Sequence, residues 1–468
     1  MKSLLRTGFY RTILGATALS SAAAGDPYAP LVDLFSASEA GEVWPVHEDY
    51  LFTDAACTTP VSAVGQQVQG WLGLKYGIKI VQADTGRVPM YCRQPAGGWT
   101  QQLVQTDNLS ASDWVKTRAS VTGGQADFDG GTDAWLIQTT SSGFSNIGQP
   151  ASRGDGPWTY SALVKAGNVN RVLFGQYLTS GYSDNIFDLV SGTWVLSGAG
   201  VTRGATDMGG GWWLLTLTYA GVLSTSTTQP VYYFGPINNT GTAASNTTTG
   251  NNIVVYQPML NRGSSRATYQ SRGALYEGPA SGDSVAALYF DGLSESMISS
   301  AIDFTGTNEI TVWVGWEKRT RVNNYGVVCE LSASAPSNAG SFSVLENGAN
   351  DNWYFGAHGS SLYERYLTQT MAARNRSIVS VGFDLSAGAS AITARVKDHS
   401  GTYTALTTAV GTTPGTGNFG NHSVYVGARG GGTLLESCGF FVGALVVLGR
   451  APSGSEFADI AAAVEALS

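Results

Sequence analysis

The chain has 468 residues, 60 of them glycine, with 13% charged and 11% aromatic side chains and a formal net charge of -8. At roughly 150 residues per domain this length suggests about three domains, and the balance of few charges and many glycines excludes a helical bundle or a disordered chain and points to an all-β protein. No block of Lys and Arg supports contacts to phosphates, which argues against nucleic acid as a partner, and no run approaches the ~20 apolar residues of a membrane span, which argues against membrane insertion.

Residues 1–30 read as a docking arm. Leu5, Phe9 and Ile13 are spaced to form a short apolar helical stripe. The small-residue run Ala22–Gly25 mimics a signal-peptidase site poorly, because Arg11 interrupts what would be the apolar region. Residues 31–97 mix short apolar runs with turn residues and show no strong period. Cys57, Cys92, Cys329 and Cys438 lie far apart and match no metal-binding spacing. They are expected to be isolated buried thiols.

Residues 98–270 alternate in the manner of strands at Trp158–Gly167, Gly211–Thr218 and Val231–Pro236, with glycine-rich turns between. Regularly spaced short strands of this kind predict a jelly-roll-like sandwich. Trp212 and Trp213 are adjacent, so a strand pleat sends their rings to opposite faces. Residues 271–283 read as a linker. From residue 284 a second sandwich is expected, organised around Asp303–Glu317. There Ile310, Val312, Val314 and Trp316 fall on every second position, the pattern of a strand buried on one face. The alternation returns at 378–384, 392–398, 423–429 and 439–449. Ser453 and Glu456 then stand in capping-box spacing, followed by Phe457, Ile460, Val464 and Leu467 on one face of a short C-terminal helix. The fold class is therefore all-β: two consecutive antiparallel sandwiches, an N-terminal arm and one terminal helix.

Three groups of residues carry candidate chemistry. Flat aromatic rings stack on the apolar faces of sugars while neighbouring amides and carboxylates take the hydroxyls. Tyr177, Tyr182 and Trp194 near Asp184 and Asn185 form one such cluster, and Asn350, Asp351, Asn352, Trp353 and Tyr354 form another. For any one of these aromatics core packing is the competing reading. Asp127, Asp129 and Asp133 put several hard oxygens on a tight loop, as a structural calcium requires, but the full twelve-residue loop and its terminal Glu are missing, and a plain Asp-Gly turn is the favoured reading. No other cofactor is implied. Catalytic residues are not expected: the Glu-x-Asp-x-x-Glu carboxylates of sandwich glycosidases are missing, Glu48 and Asp49 are adjacent, Asp351 stands between asparagines, and His47, His358, His399 and His422 have no GxSxG partner.

Two stretches resemble known families. Leu51-Phe52-Thr53-Asp54, Thr58-Thr59-Pro60-Val61 and Gly65-Gln66 resemble an N-terminal segment of tailed-bacteriophage virion proteins. The order of Asn108–Lys116, Tyr160–Gly167, Gly209–Tyr219 and Val254–Gln270 resembles the carbohydrate-binding-module-like jelly roll of phage fibres, and Phe290-Asp291-Gly292 with the strands that follow resembles laminin-G or concanavalin-A-like sandwiches. The resemblance implies a non-enzymatic fibre or spike subunit on the outer surface of the virion, head or tail. Such a subunit would form a homotrimer, dock on capsid or tail proteins and adhere to a host surface glycan. Two alternatives follow from the same resemblance: a capsid decoration protein with no receptor role, and a polysaccharide depolymerase.

Overall fold

A computed structural model describes residues 31, 35, 38–95, 101–151, 157–178, 181–219, 230–245, 247–273, 284–292, 295–318, 325–333, 338–347, 352–366, 376–398, 403–405, 408–410, 413–429 and 439–466. The expected arm, with Leu5, Phe9 and Ile13, lies outside the described residues, as do Asn350, Asp351 and Cys438.

Five strands precede residue 96: β1 Gly41–Pro45, β2 Leu51–Phe52, β3 Gly70–Leu72, β4 Lys79–Val81 and β5 Met90–Pro95. Twelve follow in the next stretch: β6 Val115–Thr117, β7 Ala119–Gln125, β8 Ala134–Thr139, β9 Asn146–Pro150, β10 Trp158–Ala166, β11 Arg171–Leu178, β12 Gly181–Asp188, β13 Thr193–Leu196, β14 Val201–Gly209, β15 Trp212–Tyr219, β16 Val231–Ile237 and β17 Asn252–Arg262. The last stretch holds β18 Ser284–Asp291, β19 Met297–Asp303, β20 Glu309–Lys318, β21 Tyr325–Ser332, β22 Ser341–Asn347, β23 Asn352–His358, β24 Leu362–Tyr366, β25 Arg376–Asp384, β26 Ile392–Asp398, β27 Tyr403–Ala405, β28 Thr408–Val410, β29 Asn421–Val426, β30 Gly439–Leu448 and the helix α1 Gly454–Ala466.

The outer stretches build one sandwich together. Sheet A runs β27-β26-β25-β20-β30-β18-β5, with β1 also on β30, and sheet B runs β2-β3-β4-β19-β29-β21-β22-β23-β24-β28. One edge of β30 is shared: β18 takes Gly439–Val442 and β1 takes Ala444–Leu448. The backbone approach at the start of β1 requires glycine, since Gly41 has φ +135° and a Cβ there would lie 2.2 Å from the carbonyl oxygen of Val447. Residues 41–95 thus differ from the separate irregular segment expected of them. Their strands are two to six residues long, too short to show a period, and β1, β4 and β5 join the sandwich by pairing with β30, β19 and β18 from the far part of the chain.

The middle stretch is a second sandwich set into the first. Sheet D (β14-β15-β10-β17-β8-β7) faces sheet C (β13-β12-β11-β16-β9-β6) across a core that includes Trp114, Trp158, Tyr160, Phe174, Phe187 and Phe234. Tyr160 stacks on Phe174 at 4.5 Å. The insertion leaves and returns at one place, because Pro95 and Ser284 are paired neighbours on β5 and β18. At its own base the two ends are joined by Gln105 N–H to Gly273 O (2.9 Å) and by the Arg272 guanidinium to Gln101 O (2.7 Å). Arg272 is buried there, so residues 271–273 pack on the inserted sandwich instead of starting a free linker.

In the outer sandwich Ile310, Val312, Val314 and Trp316 of β20 enter the inter-sheet core, as their spacing predicts. The other face of β20 is covered as well. Trp313 is buried beneath α1, in a cluster with Leu31, Phe35, Ile460 and Val464. The helix is capped as its sequence predicts: Ser453 N–H donates to Glu456 Oε2 (2.7 Å) and Glu456 N–H to Ser453 Oγ (3.3 Å). α1 thus covers the outer face of sheet A, and on sheet B the outward Val327, Leu345 and Tyr354 form a small buried cluster of their own.

Candidate functional site

The outer face of sheet C carries an aromatic shelf. Register places Tyr177 of β11 opposite Tyr182 of β12, and their ring centroids are 4.6 Å apart. Phe144 meets Tyr182 (5.6 Å) and Tyr233 of β16 (5.7 Å), each edge to face. Gly175 makes room for this arrangement: a Cβ there would come within 2.8 Å of the Tyr233 ring, which lies over β11. Leu173, Ile186 and Ile237 form the buried floor. Tyr182 is 61% exposed, so the shelf presents a ring to solvent above an apolar base. The Tyr233 hydroxyl donates to Asp184, whose carboxyl is pushed above its ordinary value by burial, against the lowering effect of that bond. The result is an apolar surface of mutually tilted rings with a hydroxyl and a carboxylate at its edge.

The same pleat separates residues that the sequence groups together. On β12, Tyr182, Asp184 and Ile186 point outward, while Asn185 and Phe187 point into the sandwich. Asn185 is buried, where its side-chain oxygen accepts from Gly198 N–H (2.9 Å) and the Arg203 guanidinium (3.3 Å). Trp194 packs edge-on against Phe187 at 5.0 Å. Both therefore hold the module together and are corrected from the saccharide set. Trp212 and Trp213 do part as predicted: Trp213 joins the core beside Phe187, and Trp212 packs with Leu163 and Ala134 on the outer face of sheet D under the Lys165 ammonium (5.8 Å).

In the second predicted cluster, Trp353 is a core residue, 4.6 Å from Trp316. Its neighbours Asn352 and Tyr354 take the other face of β23 and point out from sheet B. Tyr354 lies between Tyr325 (5.2 Å) and Tyr366 (6.4 Å, nearly parallel).

The acidic turn satisfies itself. Asp127 accepts from the N–H groups of Gly131 (2.8 Å) and Asp133 (3.0 Å), which hold its carboxyl below the ordinary range, and Asp129 accepts from Tyr256 OH (3.0 Å) and Gln257 (3.3 Å). Among the described residues no group of three or more His, Cys, Asp or Glu is arranged to hold a metal ion. Cys57, Cys92 and Cys329 are thiols, the last two buried and Cys57 half-buried.

One grouping was not visible in the sequence. A recess on sheet B is lined by Glu330, Ser341, Ser343, Gly356, His358, Leu362, Glu364 and Arg429, with Phe342 beneath. Glu330, Ser343, Gly356 and Glu364 come from four different strands and form one cross-strand row through their register. Glu330 is held by Arg429 (3.0 Å) and by the Ser332 hydroxyl. No short-range spacing marks such a row.

No family model and no curated protein matches the chain. Among solved structures it is similar to a heptameric SAP-like pentraxin from Limulus polyphemus, at 15% identity and TM-score 0.25 over 33% of this chain and 70% of that one. It is also similar to Trypanosoma rangeli sialidase in complex with the inhibitor DANA, at 10% identity and TM-score 0.28 over 84% of this chain and 68% of that one. A third is the CBM22-1–CBM22-2 tandem domain of Paenibacillus barcinonensis Xyn10C, at 8% identity and TM-score 0.22 over 75% and 96%. Similarities of that size do not identify a shared function.

Proposed function

We propose that this chain is a saccharide-binding adhesion protein, a fibre or spike subunit displayed on the outer surface of a tailed-bacteriophage virion. The observation that carries the binding role is the shelf on sheet C: an exposed tyrosine backed by three further aromatic rings, with Asp184 and the Tyr233 hydroxyl at its edge. That combination suits a sugar ring, which offers an apolar face to stack and hydroxyls to bond. The virion assignment is supported by the residues at 51–66 and by the four ordered motifs of the inserted sandwich.

The reading is of a binding protein and not a hydrolase. Glu48 is tied to Tyr91 and Arg93, and Glu330 to Arg429 and Ser332, positions that suit structural ion pairs more than a proton donor. Residues 1–30 would dock on capsid or tail proteins through Leu5, Phe9 and Ile13, and three copies would assemble. Adsorption of the full chain to host cells, before and after enzymatic stripping of surface polysaccharide, tests this function. Adsorption lost on stripping is expected. Undiminished adsorption to stripped cells, or none to intact cells, would leave the decoration role.

A further inference from the structure

Two cross-strand rows divide the shelf on sheet C by chemistry. Val231, Tyr177 and Tyr182 stand in register on β16, β11 and β12 and make the apolar row. Tyr233, Gly175 and Asp184 make the next outward row, two residues along each strand and about 7 Å away. Because Gly175 has no side chain, the Tyr233 ring crosses β11 and its hydroxyl donates to Asp184 Oδ1. The second carboxylate oxygen of Asp184 takes no hydrogen bond within the protein and reaches solvent, so the edge of the shelf holds an open acceptor. Among the described residues no Lys or Arg pairs with Asp184. Arg171 is turned to Asp188 (3.0 Å), Arg203 to the inward Asn185 and to Gly198 O, and Arg118, behind the loop that carries Phe144, to Ser142 O (3.4 Å).

We infer, resting on the saccharide role of the shelf, that it selects neutral sugars and turns away those that carry carboxylates, with Asp184 as the residue that sets the choice. A sugar ring stacked on the exposed Tyr182 carries its exocyclic groups over the neighbouring row, within reach of Asp184. A neutral hydroxyl placed there donates to the open oxygen in a charge-assisted bond. A uronate carboxylate has no proton to give at neutral pH and meets a like charge instead.

Calorimetry on the full chain with linkage-matched hexamers tests this inference: mannose against mannuronate, galactose against galacturonate, and glucose against glucuronate. In each pair that binds, the neutral member is expected to bind at least about fivefold more tightly, the value of two like charges about 4 Å apart in water. Asp184→Asn, which keeps the shape of the side chain, is expected to remove most of that gap. Asp207→Asn removes an exposed charge from β14 of sheet D and is expected to leave the gap unchanged, which separates Asp184 from the general repulsion of a chain of net charge -8. Uronate hexamers bound as tightly as neutral ones, or a gap that survives Asp184→Asn, would overturn the inference and leave the saccharide role of the shelf standing. No binding of any hexamer, or binding untouched by Tyr182→Ala, would defeat that role and the inference with it. A salt series on the unmodified chain needs no variant that folds: the gap is expected to narrow between about 0.01 M and about 1 M salt, and a gap constant across that range would also overturn the inference.

Discussion

Glu42 shows how one buried side chain joins distant parts of this chain. Its carboxylate, fully buried, accepts N–H groups from Val43, Lys75, Tyr76 and Ile78 at 2.6–3.0 Å, fastening the 73–78 loop to β1. Glu42→Ala would leave these donors without a partner and is expected to lower stability by about 3 kcal/mol, read as a lower midpoint in chemical denaturation. Glu295 predicts a pH dependence. Burial first, and the charge of Asp291 second, push its carboxyl up to about 8 from an ordinary value of 4.5. Between those values the unfolded chain has released the proton and the folded chain retains it, so this group's contribution is complete below about pH 4.5 and is lost as pH rises toward 8. Glu295→Gln is expected to match the unmodified chain at pH 5 and to exceed it at pH 8 by about 3 kcal/mol. Equal denaturation midpoints at pH 8 would contradict this assignment.

The terminal helix is the element whose placement was most legible in sequence. Ser453 and Glu456 form the reciprocal cap, and Glu456 is further held by Arg450 (2.7 Å), which together bring its carboxyl down to about 2. Ser453→Ala is expected to cost about 1 kcal/mol and to raise hydrogen exchange in the first turn of α1 while leaving the sheets protected. The long strands were legible for a related reason: β10, β15, β20, β25 and β30 are eight to ten residues long, enough for the period to declare itself. What sequence could not show is which face of a strand has a partner. Trp353 reads as part of a polar aromatic loop and is core, Asn185 reads as a sugar ligand and is buried, and Trp313, which alternates with the core positions of β20, lies beneath α1. Tyr233, Glu330 and Glu364 join their neighbours only through register, which no local spacing records, and Phe144 reaches the shelf from the loop before β9.

At the scale of the whole molecule the order of folding units follows from β1–β5. These strands pair with β30, β18 and β19, so a fragment that begins at residue 98 lacks five strands of the outer sandwich. Such a fragment is expected to keep the inserted sandwich and lose the outer one. In contrast, a chain in which residues 96–283 are replaced by a short turn keeps Pro95 and Ser284 as neighbours and is expected to fold as the outer sandwich alone. Calorimetry distinguishes the two, with one cooperative transition expected from each and the α1 contacts to Trp313 retained only in the second. Failure of the excised chain to fold, with the 98–468 fragment folding in both parts, would contradict the nested architecture.

The nested plan makes the inserted sandwich a self-contained carrier for the shelf on its sheet C, and saccharide binding there is the claim on which the functional account depends. Its direct measurement is a titration of the full chain and of its Tyr182→Ala variant against purified host surface polysaccharide. Because Tyr182 is 61% exposed, the variant is expected to melt with the unmodified chain and to bind about 5- to 150-fold more weakly, as removal of one stacked ring costs about 1–3 kcal/mol. Equal affinity of the two chains, or no affinity in either, would contradict the account.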